Sequence, residues 1–320
     1  MATDLDRAYR ACARTTRRYA RNFYFAFLSL PPAQRRAIYA LYAFCHESDN
    51  VADEGLPAAE VAGRGENGFS VLSVDEQKDT CSGASSEAPE DPAGRRAELA
   101  TMRERLACAA RGEAAMERDR ALADAIARFG VREADLADVL TGVEMDLEPV
   151  RIETYDELRT YCYHVASAVG LATLPILSGG ASPTDAMREK AIDLGLGMQY
   201  VNVLRDVQED LGLGRRYLPM ELLAAHDVTE AALCARTMTD GLRAVVADHA
   251  AQARSLLARG RRLLSDLPRA SRACPWLLSE IYGRILTRIL RADDPLFSGR
   301  ASLPTGEKVG LLLSARWRRL

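Results

Sequence analysis

Two long apolar patterns with helical spacing each run into a pair of aspartates, and no other feature constrains the fold as strongly. The first pattern leads to Asp49 and Asp53, and the second leads to Asp206 and Asp210. Residues four apart on a helix lie one turn apart on the same face, so each pair should present its two carboxylates together. The apolar residues before each pair predict two core helices that carry carboxylates near one end.

Carboxylates arranged in this way predict a metal site. Two acidic helix ends that face each other repel unless cations lie between them. Mg²⁺ prefers oxygen ligands and is usually held by one or two carboxylates together with substrate phosphates. The four aspartates are therefore predicted to bind Mg²⁺, or Mn²⁺, together with a diphosphate. The spacing alone fits solvated helix ends equally well, and a third such pair, Asp75 and Asp79, is interpreted as coincidence.

The composition predicts a mostly helical fold. With 320 residues, 48% of them hydrophobic and 27% charged, the chain can bury one large core or two small ones. Only 13 prolines occur, and no set of short alternating strands is found. The net charge of −3 gives no general attraction to nucleic acid, and the four histidines are too scattered for a zinc site.

Cysteine use and the apolar segments indicate a cytoplasmic protein. The seven cysteines are odd in number and form no C-x-x-C pair, which fits a reducing compartment. The N-terminus has neither a basic start nor an apolar stretch, so no signal peptide is predicted. The longest apolar stretch, 165–178, is shorter than the ~20 residues that a membrane span needs.

Basic residues are unevenly distributed. Five arginines recur at helical spacing from Arg10 to Arg21, and three more surround Trp317. Either cluster could form a solvated helix face or contact anionic lipid headgroups. Peripheral contact with the inner membrane is therefore left open as an alternative.

One segment departs from the helical pattern. From about residue 55 to 94 the chain is rich in Gly, Ser, Glu and Pro, and it buries too little surface to offset its ordering entropy. It is predicted to be a disordered insertion, serving either as a tolerated loop or as a lid.

Prolines and glycines set the predicted helix boundaries around the candidate residues. One helix is predicted over about 155–174, since Pro175 disfavours its continuation. A second helix, capped by Ser182 with Pro183 in its first turn, is predicted to carry the whole run 199–210.

Several ordered segments resemble the squalene and phytoene synthase family. The run QYVNVLRDVQED at 199–210, followed by GRRYLP at 214–219, is similar to the second signature of that family. The segment YCYHVASAVG at 161–170 resembles its tyrosine segment. Further similar blocks lie at 41–49, the first aspartate motif, at 23–27 and at 142–147.

The resemblance implies a single isoprenoid-synthase domain over 1–320, all-α, with a central cavity and interrupted only by the insertion. It implies a Mg²⁺-dependent prenyltransferase that acts on allylic prenyl diphosphates, with Asp49, Asp53, Asp206 and Asp210 as metal ligands. The cavity should be apolar, since a carbocation must be kept from water. Catalytic roles are implied for Tyr161, Arg205 and Arg215, and substrate binding for Phe23, His46, Gln199, Asn202 and Tyr217.

These residues could also have a purely structural role. Arginine forks suit phosphate oxygens, but Arg205 and Arg215 could equally form internal salt bridges. Phe23 could be core packing, and the amides Gln199 and Asn202 could be a polar helix face satisfied by neighbours.

Two positions depart from the family pattern. Asn50 replaces an aspartate that many members carry beside the first metal ligand. His46 replaces an arginine three residues before Asp49, which weakens phosphate contact at neutral pH unless a diphosphate raises the histidine pKa.

The best-supported interpretation is head-to-head condensation of two farnesyl diphosphates to presqualene diphosphate, in a squalene or hopanoid pathway. Alternatives are a phytoene synthase acting on geranylgeranyl diphosphate, a squalene synthase that completes reduction with NADPH, a terpene cyclase on the same fold, and a non-catalytic assembly factor. No glycine-rich dinucleotide motif occurs, and NADPH use is left open.

Overall fold

The computed structural model describes residues 3–53, 92–148 and 150–317, with the side chains of residues 21, 22, 52, 53 and 92 outside the description. Within these ranges the fold is all-α, without a β-strand, and an isolated bridge joins Arg151 to Arg216. The predicted fold class is confirmed. The helices are α1 (Asp4–Tyr19), α2 (Arg21–Phe27), α3 (Pro32–Asp53), α4 (Pro92–Ala110), α5 (Glu117–Phe129), α6 (Glu133–Met145), α7 (Tyr155–Cys162), α8 (Ala168–Leu177), α9 (Asp185–Arg205), α10 (Val207–Gly212), α11 (Met220–Ala225), α12 (Glu230–Cys234), α13 (Asp240–Gly260), α14 (Arg269–Arg291) and α15 (Thr305–Trp317).

The predicted insertion at about 55–94 lies almost entirely outside the described residues. Its last residues already belong to α4, which begins at Pro92. Proline suits this position because the first turn of a helix leaves its N–H groups unpaired in any case.

A π-helical segment, Tyr163–Ser167, joins α7 to α8. The predicted end of this stretch at residue 174 is wrong, because α8 passes through Pro175 and ends at Leu177. In the last turn a proline removes only one intrahelical bond. The Ser178 N–H donates to the Leu174 carbonyl at 2.9 Å, and the Gly180 N–H donates to the Pro175 carbonyl at 3.0 Å.

The stretch Tyr155–Leu177 is long and apolar enough to cross a membrane by length and composition, and 61% of its apolar window is buried inside the protein. A core helix of a soluble protein passes the same test. Its place in the fold explains the apolar composition, since it lies between α3, α6 and α9.

Helix α9 differs from prediction at both ends. Its cap is Thr184, whose hydroxyl accepts from the Met187 N–H at 3.3 Å, so the prediction of Ser182 is wrong. The helix ends at Arg205, and Asp206 has φ −105° and ψ 6°, in the bridge region that active-site residues often occupy. The run 199–210 is therefore two helices, α9 and α10, although the Asp210 N–H still donates to the Asp206 carbonyl at 2.9 Å.

Two glycines allow α6 and α9 to approach the π-helical segment closely. A Cβ at Gly142 would lie 2.9 Å from the carbonyl carbon of His164, and one at Gly195 would lie 2.7 Å from the Cα of Ser167. Both contacts are with backbone, which cannot move aside as a side chain would. The π-helical segment therefore lies between the two helices. Its backbone can approach both of them closely because each contact is made at a glycine.

Candidate active site

An apolar cavity lies inside the described part of the protein. Small-molecule sites in proteins are usually concave and lined mostly by apolar side chains, as this cavity is. Its walls are aliphatic and aromatic side chains from α2, α3, α8, α9 and α14, among them Phe23, Phe27, Leu41, Tyr42, Met198 and Leu278.

Two helices carry the cavity wall directly into polar residues. On α3, Tyr42 and Cys45 line the cavity, and Asp49 follows one turn later and is 8% exposed. On α9, Gly195 and Met198 line it, Asn202 follows one turn after Met198 on the same face, and Asp206 comes directly after the end of the helix. The cavity therefore has an apolar body and one polar end. The side chain of Asp53 lies outside the described part of the structure.

Asp206 is held by two arginines. Arg205 Nε and Nη2 donate to its two carboxylate oxygens at 2.7 and 2.5 Å, and Arg300 Nε lies 2.9 Å from Oδ1. The Arg205 side chain is fully buried. Burial opposes ionisation of Asp206, but the two guanidinium groups outweigh it and hold its pKa below the ordinary value.

Asp210 shows the opposite behaviour. Burial and the negative charge of Asp206 raise the pKa of this carboxyl well above its ordinary value, and Arg215 only partly counters them. Two carboxylates that repel each other in this way provide a position where a bound cation would be stabilised.

A second polar cluster is centred on Asp146, in the turn after α6. The hydroxyls of Tyr161 and Tyr217 donate to its Oδ1 at 3.1 and 3.0 Å, and Arg215 Nη2 donates to its backbone carbonyl at 2.9 Å. The two tyrosine rings stack with centroids 4.8 Å apart. Burial and the Asp146 charge raise the pKa of both hydroxyls well above their ordinary value, so both stay protonated.

The amides of α9 form a third group. Asn202 Nδ2 donates to Gln199 Oε1 at 2.9 Å, and both residues are buried. Asn202 also hydrogen-bonds the hydroxyl of Tyr282 on α14, which is fully buried. The Tyr282 ring meets the cavity-lining Phe23 edge to face, with centroids 6.5 Å apart. This contact links the amides to the cavity wall.

His46 lies in an aromatic environment. Its ring is 4.2 Å from that of Tyr19 and 6.0 Å from that of Tyr42, measured between centroids. Burial lowers its pKa to about 4, so the ring is neutral at pH 7. The arrangement provides no positive charge at this position near neutral pH.

The structure thus brings most of the predicted residues together in the three groups just described, and the contact between Tyr282 and Phe23 joins the third group to the cavity wall. Sequence reasoning missed three partners: Asp146, Tyr282 and Arg300. Asp146 lies in the block 142–147 that carried part of the resemblance. Nothing in the sequence indicated that its carboxylate accepts hydrogen bonds from two tyrosines. Tyr282 and Arg300 lie far along the chain from the residues they contact, and nothing in their local sequence distinguishes them.

A metal ion at this end would depend on its bound substrate for ligands. Among the described residues, no group of three or more His, Cys, Asp and Glu side chains is arranged to hold a metal by itself. Mg²⁺ usually keeps water and substrate phosphates among its ligands. The hard oxygens of Asp49, Asp206 and Asp210 are a suitable donor set.

Comparison with known proteins agrees with the geometry. The model of the squalene/phytoene synthase family matches residues 16–307. The chain is 30% identical to the 15-cis-phytoene synthase of Synechococcus elongatus, over 95% of this chain and 91% of that protein. It is 31% identical to phytoene synthase 3, chloroplastic, of Zea mays, over 99% of this chain and 67% of that protein.

Two solved structures are also similar. A dehydrosqualene synthase crystallised with a ligand superposes with a TM-score of 0.79 at 26% identity, covering 98% of this chain and 97% of that one. The squalene synthase HpnC from Alicyclobacillus acidocaldarius superposes with a TM-score of 0.73 at 26% identity, covering 91% of this chain and 96% of that one.

Proposed function

Because the chain belongs to the squalene/phytoene synthase family, we propose that it condenses two farnesyl diphosphates head to head into presqualene diphosphate. Members of this family are prenyltransferases, and this chain is one of them. The finer choice of substrate and product is the proposal.

One observation carries it: two helices line an apolar cavity and then present aspartates at its polar end. A prenyl diphosphate has the same division, with a long apolar tail and a compact, highly charged head. The tail would occupy the apolar body of the cavity, and the diphosphate would lie beside Asp49, Asp206 and Asp210.

We propose that these three aspartates, with Asp53, hold Mg²⁺. When bound there, the ion would neutralise the charge that develops on the departing diphosphate. The raised pKa of Asp210 supports this assignment, because a cation would relieve its repulsion with Asp206.

The reaction begins as the allylic carbon–oxygen bond of one substrate breaks and its electron pair leaves with the diphosphate. Arg205, which pairs with the Asp206 carboxylate, and Arg215, which donates to the Asp146 backbone carbonyl, would donate hydrogen bonds to phosphate oxygens of the bound diphosphate. The allylic carbon then bonds to the double bond of the second substrate. Loss of one proton closes the cyclopropane ring, and the second diphosphate is retained in the product.

The apolar wall protects the cationic intermediates. Phe23 and Tyr42 line the cavity and present aromatic faces, which stabilise a cation without forming a bond to it. We assign proton handling to Tyr161, whose hydroxyl is held by Asp146 and is protonated before the reaction. It would pass its own proton to the departing diphosphate as it takes up the proton lost from the substrate cation.

Geranylgeranyl diphosphate is the second candidate substrate, with prephytoene diphosphate and phytoene as products. It is favoured by the curated relatives at about 30% identity, which are named phytoene synthases. The squalene-side choice is supported by the two similar structures, which are named dehydrosqualene and squalene synthases. A squalene synthase that completes reduction with NADPH is a third alternative, and a non-catalytic assembly factor is the fourth.

Product analysis separates these alternatives. Purified protein is incubated with Mg²⁺ and either prenyl diphosphate, with and without NADPH, and the products are identified by mass. A C30 cyclopropyl diphosphate without NADPH supports the proposal, and a C40 product moves the protein to carotenoid synthesis. Squalene formed only with NADPH establishes the third alternative. Absence of turnover, together with absence of Mg²⁺-dependent diphosphate binding, would leave the assembly factor.

We also propose a cytoplasmic location for this reaction. It is supported by the six cysteines in the described ranges, which are all unbridged, four of them buried in the interior.

A further inference from the structure

Helix α15, the last helix of the described chain, exposes large apolar side chains along one side. Val309, Leu313 and Trp317 follow one another at intervals of four and are 40%, 63% and 88% exposed. Residues at this spacing share one helix face. Among the described residues, only Met116 and Met145 are other large apolar side chains with comparable exposure, and they lie apart in the sequence.

The opposite side of α15 packs on the protein. Lys308, Leu311 and Ala315 are buried there, against α14 and α2. Gly306 and Gly310 lie on the exposed side, where an added Cβ would meet no atom within 4 Å. We call Gly306, Val309, Gly310, Leu313 and Trp317 the outer face of α15. This surface is open, and it is apolar except for Arg316, which lies seven residues after Val309 on the same side of the helix.

Charges around the outer face have one sign. Arg316 is exposed beside it, and the sequence continues after Trp317 with Arg318 and Arg319. Glu307, an acidic residue of this helix, is turned toward α14, where it pairs with Arg284 and Arg288. An apolar face that ends in tryptophan and arginine is typical of helices that lie in a membrane interface.

We propose that the outer face of α15 docks on a lipid bilayer that contains anionic headgroups. Leu313 and Val309 would enter the boundary of the acyl chains, and Trp317 would lie at headgroup level. Arg316 would contact phosphate groups. Charge complementarity favours a bilayer over a second copy of the chain, because two copies would bring their arginine clusters together.

Docking in this way would place the cavity close to the membrane. Helix α2 packs against α15, and Phe23 and Phe27 of α2 form part of the cavity wall. An apolar product could then pass into lipid without crossing water. This last consequence rests on the proposed function, whereas the docking itself does not.

Vesicle binding tests the proposal, and the chain contains its own reporter. Of its two tryptophans, Trp276 is already buried and Trp317 is exposed, so a change in fluorescence reports on Trp317. The full protein is mixed with vesicles containing roughly one third phosphatidylglycerol, or with phosphatidylcholine vesicles alone. We expect co-sedimentation with the anionic vesicles and a blue shift of the emission, and weaker binding without anionic lipid.

The variant Leu313→Glu keeps the reporter and places a charge in the outer face. It should weaken binding roughly tenfold or more, since it removes one apolar anchor and adds repulsion. Met116→Glu makes the same kind of change at an exposed residue elsewhere and should bind like the natural protein. Prenyl transfer to soluble substrates in detergent should be equal in all three, which separates this test from that of the proposed function.

Three results would overturn the proposal. One is failure of the natural protein to bind vesicles, and another is equal binding by Leu313→Glu. The third is a stable dimer in solution that Leu313→Glu dissociates, which would assign the outer face to a second copy of the chain.

Discussion

The two aspartate-bearing helix ends look alike in sequence but lie in different electrostatic environments. Asp206 lies between Arg205 and Arg300, at a point where the helix breaks. Asp49 lies on an unbroken helix, one turn beyond Cys45 and the neutral His46 and two turns beyond Tyr42. One side is organised by fixed positive charge, and the other by aromatic and apolar packing.

This difference suggests a division of labour in the proposed reaction. The Asp206 side already holds arginines, which could bind phosphate oxygens if a metal ion bound the carboxylates instead. The Asp49 side has less fixed positive charge at neutral pH, so its aspartates would act mainly through the metal. Of the two bound substrates, the one that ionises should therefore have its diphosphate nearer the arginine-rich side.

The largest expected effect comes from neutralising each aspartate in turn. Asp206→Asn and Asp49→Asn should each lower turnover by at least ~100-fold, because each removes a proposed Mg²⁺ ligand. Only Asp206→Asn should also lower the free energy of unfolding strongly, by about 3 kcal/mol, since it leaves the buried Arg205 guanidinium without its carboxylate. Steady-state kinetics and urea unfolding measure the two effects. Equal destabilisation by both variants would contradict the difference drawn between the two sides.

The next effect concerns Tyr161 and its acceptor. Tyr161→Phe should lower turnover roughly 10-fold to 100-fold while costing only about 1 kcal/mol of stability, since one hydrogen bond to Asp146 is lost. Tyr217→Phe removes the other hydroxyl from the same carboxylate and is the matched control. If both variants lose turnover equally, Asp146 rather than the Tyr161 hydroxyl is the group that matters.

The stability of the protein should depend on pH through His46, on the Asp49 side. Burial lowers the pKa of His46 to about 4, and likewise that of His249, against an ordinary value of 6.5. Between these values the unfolded chain binds more protons, so stability is fully present above pH 6.5 and is lost as the pH falls toward 4. From pH 7 to pH 5 each histidine should account for a loss of about 2 kcal/mol.

His46→Gln should remove its own part of that loss, and unfolding in urea at the two pH values measures it. His226, which lies near the surface beside Asp248, provides the control variant His226→Gln, and the loss should persist in it. An unchanged pH dependence in His46→Gln would mean that the ring is not buried and neutral as the structure shows.

The smallest effect tests how α9 is held. Gly195→Ala places a Cβ 2.7 Å from the Ser167 backbone and should destabilise the protein by about 1–3 kcal/mol. Gly283→Ala, in the middle of α14 where the added Cβ meets no atom within 4 Å, should instead stabilise it by about 0.5–1 kcal/mol. Thermal unfolding of the two variants gives the comparison, and equal shifts in Tm would refute the close approach.

The sequence predicted the helices of this site better than the residues at which they end. Apolar periodicity was enough to predict the helices that line the cavity, because burial of one face is a local property of the pattern. It failed at Asp206 and at Pro175, where the structure interrupts or prolongs a helix. The apolar pattern contains neither the Arg300 guanidinium that pairs with Asp206 nor the N–H groups of Ser178 and Gly180 that donate to the carbonyls of Leu174 and Pro175.

Residue types, spacing and apolar patterns were sufficient for a mostly helical fold and for carboxylates near the ends of two core helices, and the resemblance of the motifs to a known family implied the all-α class. Only the tertiary structure decided that Arg300 reaches Asp206, that Tyr161 and Tyr217 share Asp146, and that His46 is neutral. The reason is physical: hydrogen bonds and pKa values depend on burial and on distances of a few ångströms between residues far apart in the chain. Spacing along the sequence does not encode those distances.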